Sequence, residues 1–405
     1  MAREEIVIVN GARTPMAEWV GGRAGNGKPG GALKDVSAID LGAVASKAAL
    51  ERSKVPADAI DHVVFGNALQ TSGDALYGAR HVALKAGVPV PVPALTVNRL
   101  CGSGIQSVVT GAQMLQLGEA SFVLAGGMEN LSQAPFAVRG ARSGLRLGQG
   151  ALEDTLMVAL KDSYCGLFMA QTSDNLAKRY GITREQQDEF ALRSNTEGRR
   201  AINSCILSEE IVPVTPPGRD AKPVEKDDHC FEGATIEGLA KLPPAFGKES
   251  FVTAGNASGI VDGAAALVVT TARNAEKRNL APMGRVVSWA TVGVDPETMG
   301  IGPVPAVRAA LKLAGLSVDD VDLFEINEAF AGQYLAVEKE LGNPREKSNV
   351  NGGAIALGHP LAASGTRLIL TLLYELRRRK KRWGVASACI GGGQGIAIVV
   401  EALPS

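Results

Sequence analysis

Cys101 stands in Val97-Asn98-Arg99-Leu100-Cys101-Gly102-Ser103-Gly104, between a short apolar run (Ala94 to Val97) and a stretch of helical periodicity from Ser103 to Leu117. A thiol at a helix entrance meets unpaired N–H groups and the positive end of the helix dipole, both of which favour a thiolate nucleophile. A nucleophile of this kind needs a proton acceptor. His359 is suited to that role: glycines approach it in Asn351-Gly352-Gly353-Ala354-Ile355-Ala356-Leu357-Gly358-His359-Pro360, and Pro360 behind it fixes the imidazole on a sharp turn. Cys389 lies in Ala388-Cys389-Ile390-Gly391-Gly392-Gly393-Gln394-Gly395, between two strand-like runs. The glycines allow close backbone approach to a ligand and offer N–H groups to an anion. Asn327-Glu328-Ala329-Phe330-Ala331 follows a strand ending at Ile326, where doubly wound sheets place ligands. Cys, Asn, His and Cys at strand ends and turns suit acyl transfer through a cysteine thioester.

The remaining candidates carry less. His62 falls in an apparent strand and His81 on a helix, positions of structural or surface histidines. Arg377-Arg378-Arg379-Lys380-Lys381-Arg382 ends a helix, where cations complement the dipole, and no aromatic pattern accompanies it. Lys plus Arg equals Asp plus Glu at 42 each, so global charge points to neither nucleic acid nor membrane. The five cysteines form no CxxC or Cys/His metal pattern, which predicts reduced thiols in the cytoplasm and no metal site. Strand-forming residues begin at Ile6, and neither a targeting segment nor an apolar span of about 18 residues is visible.

The elements that must position these residues read as α/β. Ile6–Val9, His62–Phe65, Ala94–Val97 and Phe122–Ala125 alternate with helices over Asp40–Arg52, Ala75–Lys85 and Ser103–Leu117. Alternation predicts a largely parallel sheet covered by helices, with Ala94–Val97 as a buried strand. Gly21–Gly31 is predicted to be a surface loop, since no strand–helix frame surrounds it. From Met128 to Ser258 the chain is loop-rich, with a capping box at Thr183-Arg184-Glu185-Gln186 opening a helix to about Ile202. This section is an excursion from the sheet, a lid or binding subdomain. Residues 49–61 align with 310–322 at a constant offset, 310 − 49 = 322 − 61 = 261. Val97-Asn98 before the cysteine helix matches Val350-Asn351 before the second glycine turn and helix. Two related halves with one large insertion follow.

Asn98-Arg99-Leu100-Cys101-Gly102-Ser103-Gly104, Asn327-Glu328-Ala329-Phe330-Ala331, the glycine turn ending at His359-Pro360, and Cys389-Ile390-Gly391-Gly392-Gly393-Gln394-Gly395 together resemble the thiolases. Gly126-Gly127-Met128-Glu129-Asn130 and Ala254-Gly255-Asn256-Ala257-Ser258-Gly259 extend the likeness over the whole chain. The resemblance implies duplicated βαβαβαββ halves in a five-layer αβαβα core. Residues 1–128 with 260–281 would form the first half, 282–405 the second, and 129–259 an inserted loop domain that carries coenzyme A. The implied reaction is reversible cleavage of a 3-ketoacyl-CoA by CoA, or Claisen condensation of acetyl-CoA. By resemblance Cys101 is the nucleophile, His359 its base, and Cys389 the acid and base for the second substrate. Asn327 with His359, and the N–H groups of Cys101 and Gly391, would form two oxyanion holes.

CoA and acyl contacts carried over in the same way are Leu160, Phe168, Met169, Phe231, Phe246, Ala254, Ser258, Met299, Ala329 and Phe330. Short-chain members have His-Met where this chain has Phe168-Met169, an arginine at Phe231 and a serine at Gly238. Arg219, Lys222, Lys226 or Lys248 is the expected substitute for that arginine's charge. No cofactor is implied, because CoA is a substrate. The family is oligomeric, which implies a homodimer or homotetramer. Two other readings share these residues: a related condensing enzyme or acyl-CoA hydrolase, which Cys389 disfavours, and a non-catalytic CoA-binding scaffold, which has no use for Cys101, His359 and Cys389 together.

Overall fold

A computed structural model describes residues 4–22 and 30–404, so most of the expected 21–31 loop lies outside the described residues. Strands β1 (Ile6–Arg13), β2 (His62–Gly66), β3 (Ala94–Val97), β4 (Phe122–Glu129) and β5 (Val261–Thr271) form one half-sheet. Strands β6 (Gly284–Gly293), β7 (Leu323–Ile326), β8 (Trp383–Ile390) and β9 (Gln394–Ala402) form the other. The order across both is β7-β8-β9-β6-β1-β5-β4-β2-β3, the halves meeting where Ile6, Val7 and Ile8 pair with Val286, Arg285 and Gly284.

The sheet is mixed, not largely parallel. Only β2–β3, β2–β4 and β7–β8 are parallel, while β5, β6 and β9 pair antiparallel with their neighbours. The reason is connection length: β8 reaches β9 through three glycines, too few residues for a crossover. The Ala94–Val97 strand is also not buried. It is the outermost strand of its half, and Leu95 is 41% exposed.

The longer helices among the described residues are α1 (Ala38–Ser53), α2 (Gly78–Lys85), α3 (Ser103–Leu117), α4 (Met169–Tyr180), α5 (Arg184–Asn203), α6 (Pro303–Ala314), α7 (Ala331–Leu341) and α8 (Leu361–Arg378). Strand alternation sorts the core into layers. Val123, Ala125, Leu267 and Val269 join Ile396, Ile398 and Val400 in one central core with Ile105 and Val108 of α3 and Leu368 and Leu372 of α8. The intervening Leu124 and Val268 face Ile39 and Leu41 of α1, while Ala397 and Val399 face Val307 and Leu311 of α6. Helices therefore lie outside, between and outside two sheets, giving the expected αβαβα layering. The two central helices cross at Gly104 and Gly365. A Cβ on Gly104 would stand 2.4 Å from the Thr366 nitrogen, and one on Gly365 would stand 2.5 Å from the Ile105 nitrogen.

The duplication is visible in register as well as in layers. Strands β4 and β8 are displaced by one offset at both ends, 383 − 122 = 390 − 129 = 261. The Asp61 carboxylate accepts the Ser121 and Phe122 N–H groups at 2.8 and 2.9 Å. Asp322 does the same for Arg382 and Trp383 at 3.0 and 2.9 Å, again 261 residues on. The same shift places Leu100, Ser103 and Gly104 on Leu361, Ser364 and Gly365, and Cys101 on Ala362. Between strand and central helix the second copy is longer by (362 − 351) − (101 − 98) = 8 residues. Those residues form the glycine turn, including the short helix Ala354–Leu357, that delivers His359.

The excursion between β4 and β5 holds α4, α5 and shorter helical turns. It is fastened from both sides. Arg13 on β1, fully buried, reaches Glu210 at 2.6 Å and grips the Asp227 carboxylate with two N–H groups at 2.7 and 2.8 Å. From α5, Arg193 donates to the Ser348 carbonyl at 3.0 Å and Arg200 to that of Val350 at 2.8 Å.

Candidate active site

The nucleophile turn is built on an unusual backbone. Leu100 has φ +47°, a left-handed conformation that costs a side chain-bearing residue on the order of 1–3 kcal/mol. Its neighbours hold it there: Asn98 Oδ1 accepts the Leu100 N–H at 2.9 Å, and Ser103 Oγ donates to the Leu100 carbonyl at 2.7 Å. Cys101 is half-buried at the mouth of α3. Burial pushes its thiol up to about 11. The Gly391 N–H and its own N–H pull the other way, and the Glu129 charge pushes it further up. Desolvation thus outweighs the helix entrance, and the resting sulfur is a thiol.

His359 follows Gly358, whose φ is +91° and whose absent Cβ leaves room for Val261. Its own N–H donates to the Gly259 carbonyl at 2.8 Å. Nδ1 lies 2.6 Å from Ser364 Oγ, and Nε2 lies 3.4 Å from the Asn327 side-chain nitrogen. An amide N–H facing Nε2 requires that nitrogen to accept, so the proton sits on Nδ1 and points at Ser364. Burial, helped by the positive charge of Arg367, lowers the imidazole to about 3, so it rests as a neutral base. The buried Asn327 Oδ1 has no partner among the described residues.

Cys389 is the penultimate residue of β8 and fully buried, in an apolar cluster with Met299 and Ala329, against which Met169 and Phe330 pack. Burial first, then Cys101, drives its thiol pKa far up. Gly391 lies between Met169 and Leu100: a Cβ there would sit 3.1 Å from the Met169 sulfur and 3.3 Å from Leu100 Cδ1. Ser258 donates its N–H to the Ala329 carbonyl at 3.0 Å, next to the Gly259 that holds His359. Catalytic and acyl-side candidates therefore form one continuous site.

The CoA candidates divide in two. Leu160, Phe168, Met169 and Phe246 belong together: the Met169 N–H reaches the Leu160 carbonyl at 2.9 Å, and the two phenyl rings are 5.4 Å apart. Phe231 and Ala254 line a separate cavity of about 260 Å³ with Gly238, Leu239, Leu242 and Ile355. Phe231, 53% exposed, is shared with an adjoining cleft of about 420 Å³ lined by Arg199 and Arg200. Arg219, Lys222, Lys226 and Lys248 line neither. Arg200 is committed to Glu197, Val350 and Asn351, whereas among the described residues Arg199 holds only Glu232 at 3.5 Å and a 4.0 Å contact to Cys230 Sγ. Sequence reasoning missed Arg199 and Ser364. Ser364 has a weak signal, as the repeat equivalent of Ser103; Arg199 has none, because only folding brings α5 beside Phe231.

The sequence matches the family model "Thiolase, N-terminal domain" over residues 6–273 and "Thiolase, C-terminal domain" over 280–402. The chain belongs to the thiolase family. It is an acetyl-CoA acyltransferase, and its reaction is thiolytic cleavage or the reverse condensation. The thiolase is 48% identical to human mitochondrial 3-ketoacyl-CoA thiolase over 398 residues, 98% of each chain. It is 47% identical to an acetyl-CoA acetyltransferase of Cupriavidus necator over 400 residues, 98% of this chain and 99% of that one. The crystal structure of the human mitochondrial 3-ketoacyl-CoA thiolase in complex with CoA superposes with a TM-score of 0.94 at 47% identity, covering 99% of this thiolase and 98% of that chain.

Proposed function

We propose that this thiolase carries the acyl group on Cys101, with His359 and Cys389 dividing the proton transfers. Cys101 attacks the keto carbon of a 3-ketoacyl-CoA as its proton passes to His359 Nε2. The bond between the keto carbon and its α-carbon then breaks, leaving an acyl-cysteine and the enolate of acetyl-CoA. Cys389 protonates the enolate carbon, and its thiolate takes the proton of incoming CoA. The CoA thiolate attacks the thioester, and Cys101 recovers its proton from His359. A thiol at about 11 beside an imidazole at about 3 means that no ion pair is preformed, so general-base transfer accompanies attack. Two oxyanions develop. One faces the Cys101 and Gly391 N–H groups; the other faces His359 and the unpartnered Asn327 Oδ1 through a bridging water. The observation that carries the reading is Cys389, buried beside the Cys101 turn: the Gly391 N–H two residues on acts on the Cys101 sulfur, and Cys101 in turn pushes the Cys389 thiol up.

CoA lies along the excursion, residues 129–259. Its pantetheine arm runs past Leu160, Phe168, Met169, Phe246 and Ser258, and its nucleotide end reaches Phe231 and Ala254. Arg199 supplies the cation for the nucleotide phosphates. The acyl group is held on the protein's own sulfur, so the reaction requires no cofactor or metal. A second copy of the chain covers the edge strand β3, around which Leu76, Tyr77 and Val90 are exposed by 76, 58 and 73%. No helix among the described residues is long and apolar enough to cross a membrane. Five free cysteines, two of them given catalytic roles in this reading, support a reducing compartment such as the cytoplasm.

Mass spectrometry after mixing with acetyl-CoA tests the core claim. Acetylation of Cys101 in wild type and Cys389→Ala, with turnover lost in the variant, is expected. Absence of the adduct, or normal turnover without Cys389, refutes it.

A further inference from the structure

The internal duplication gives the nucleophile's amide a counterpart in the other half, and that counterpart is occupied. Cys101 maps onto Ala362, 362 − 101 = 261, so the counterpart of the Cys101 N–H is the Ala362 N–H near the start of α8. It donates at 2.9 Å to Glu129, the last residue of β4. Glu129 is fully buried and accepts three further bonds: Asn67 Nδ2 and the Leu69 N–H, both at 2.8 Å, and the Ala68 N–H at 3.2 Å. Two donors on each oxygen saturate the lone pairs of a carboxylate. Asn67 is held as a donor by the Met128 and Leu69 carbonyls, which its Nδ2 meets at 3.2 and 3.4 Å, and no group among the described residues accepts from the carboxyl, so this donor set selects the ionised form although burial pushes Glu129 up to about 7.

The four donors come from two places that matter for the proposed reaction. Ala362 is three residues beyond His359, on the helix whose Ser364 orients the imidazole. Ala68 and Leu69 form the loop after β2, and the Ala68 carbonyl holds Asn98 Nδ2 at 3.1 Å. Asn98 in turn fixes the left-handed Leu100 beside Cys101. One carboxylate thus joins the turn carrying the nucleophile to the helix behind the base. No other carboxylate or cation reaches it among the groups described. Its surroundings are the Asn67, Ala68 and Leu69 donors, the α8 entrance and the Cys101 thiol that its charge acts on.

We propose that Glu129 is a positioning residue: it fills a closed anion site, one of whose donors, the Ala362 N–H, is the repeat counterpart of the Cys101 N–H, and thereby holds the Cys101 and His359 turns in register. This rests on the roles given to Cys101 and His359 above. Glu129 touches no substrate and acts through those two residues.

The test compares wild type, Glu129→Ala and Glu129→Gln for kcat, KM for CoA, stoichiometric acetylation of Cys101 and thermal unfolding. It also follows Cys101 alkylation by iodoacetamide against pH. Glu129→Ala should lose on the order of 100-fold in kcat with KM little changed. Formate should restore at least about tenfold of this and raise the unfolding temperature, whereas chloride at equal ionic strength should not. Formate refills a four-donor carboxylate site, an effect that loss of packing alone would not show. If Glu129→Ala unfolds, formate during refolding should recover it. In Glu129→Gln, with the charge gone, the Cys101 alkylation profile should move to lower pH even as kcat falls. No rescue by formate together with an unmoved profile overturns the proposal. Failure of wild type to acetylate Cys101 would instead overturn the mechanism on which it rests.

Discussion

Removing the Ser364 hydroxyl isolates the tautomer on which His359 depends as a base. Its oxygen is 2.6 Å from Nδ1 in a buried setting, and no other acceptor meets that nitrogen among the described residues. In Ser364→Ala, a buried N–H left without a partner costs about 1–3 kcal/mol. The imidazole escapes the penalty by moving its proton to Nε2, where it can no longer accept from the thiol. At about 1.4 kcal/mol per factor of ten, the base-competent fraction drops by roughly 5- to 150-fold. Thiolysis kcat should therefore fall about 10- to 100-fold, with KM for CoA unchanged because Ser364 lies behind the imidazole. Steady-state rates with a 3-ketoacyl-CoA, the rate of Cys101 acetylation and the ¹⁵N shifts of the imidazole report this together. Wild-type kcat within about twofold, with Nε2 still unprotonated, refutes the assignment.

Arg199→Ala should raise KM for CoA about 3- to 10-fold with kcat preserved, as suits a partly exposed charge pair. The effect should vanish with an acyl-pantetheine substrate that lacks the nucleotide; persistence there would place Arg199 elsewhere. The folded-state pKa of His359, lowered from 6.5 to about 3, makes the unfolded chain the better proton binder in that window, so this group withdraws stability as pH falls below 6.5. Urea melts of His359→Asn should show an acid loss shallower by up to about 1.4 kcal/mol per pH unit between pH 6 and 4. Glu129, raised from 4.5 to about 7, has the opposite sign: its contribution to stability is full below 4.5 and is lost progressively as pH rises from there through 7. Gly104→Ala should destabilise by about 1–3 kcal/mol or more, since its Cβ meets backbone of the facing helix, and calorimetry would show the drop in Tm.

Most of the scaffold was legible because it rests on local periodicity. The helix beginning at Ser103 and the Thr183 capping box occur at the positions read from sequence. The first strand was read as ending at Val9 and extends to Arg13, because pairing with β5 continues past its apolar start. Strand direction was misread because it depends on partners: β5 and β9 are apolar runs whether they pair parallel or antiparallel. The burial of Ala94–Val97 was misread for a related reason, since composition does not mark an edge. Cys101, His359 and Cys389 announce themselves by glycine-flanked turns. Glu129 and Arg199 do not, because each becomes legible only when chain segments distant in sequence are brought together.

The buried grip of Arg13 on Glu210 and Asp227 bears on the timing of catalysis. A lid over an active site opens and closes by breaking exposed contacts, and such gating often sets turnover. Here the excursion proposed to carry CoA is tied to β1 by a charged network whose rupture would strand ions in the core, at several kcal/mol each. Of the two sequence readings, a lid or a binding subdomain, this anchorage favours the second, with the excursion as a fixed wall. With that wall fixed, the slow event in each cycle is expected in the thioester chemistry or in CoA's own dissociation rather than in a domain closure.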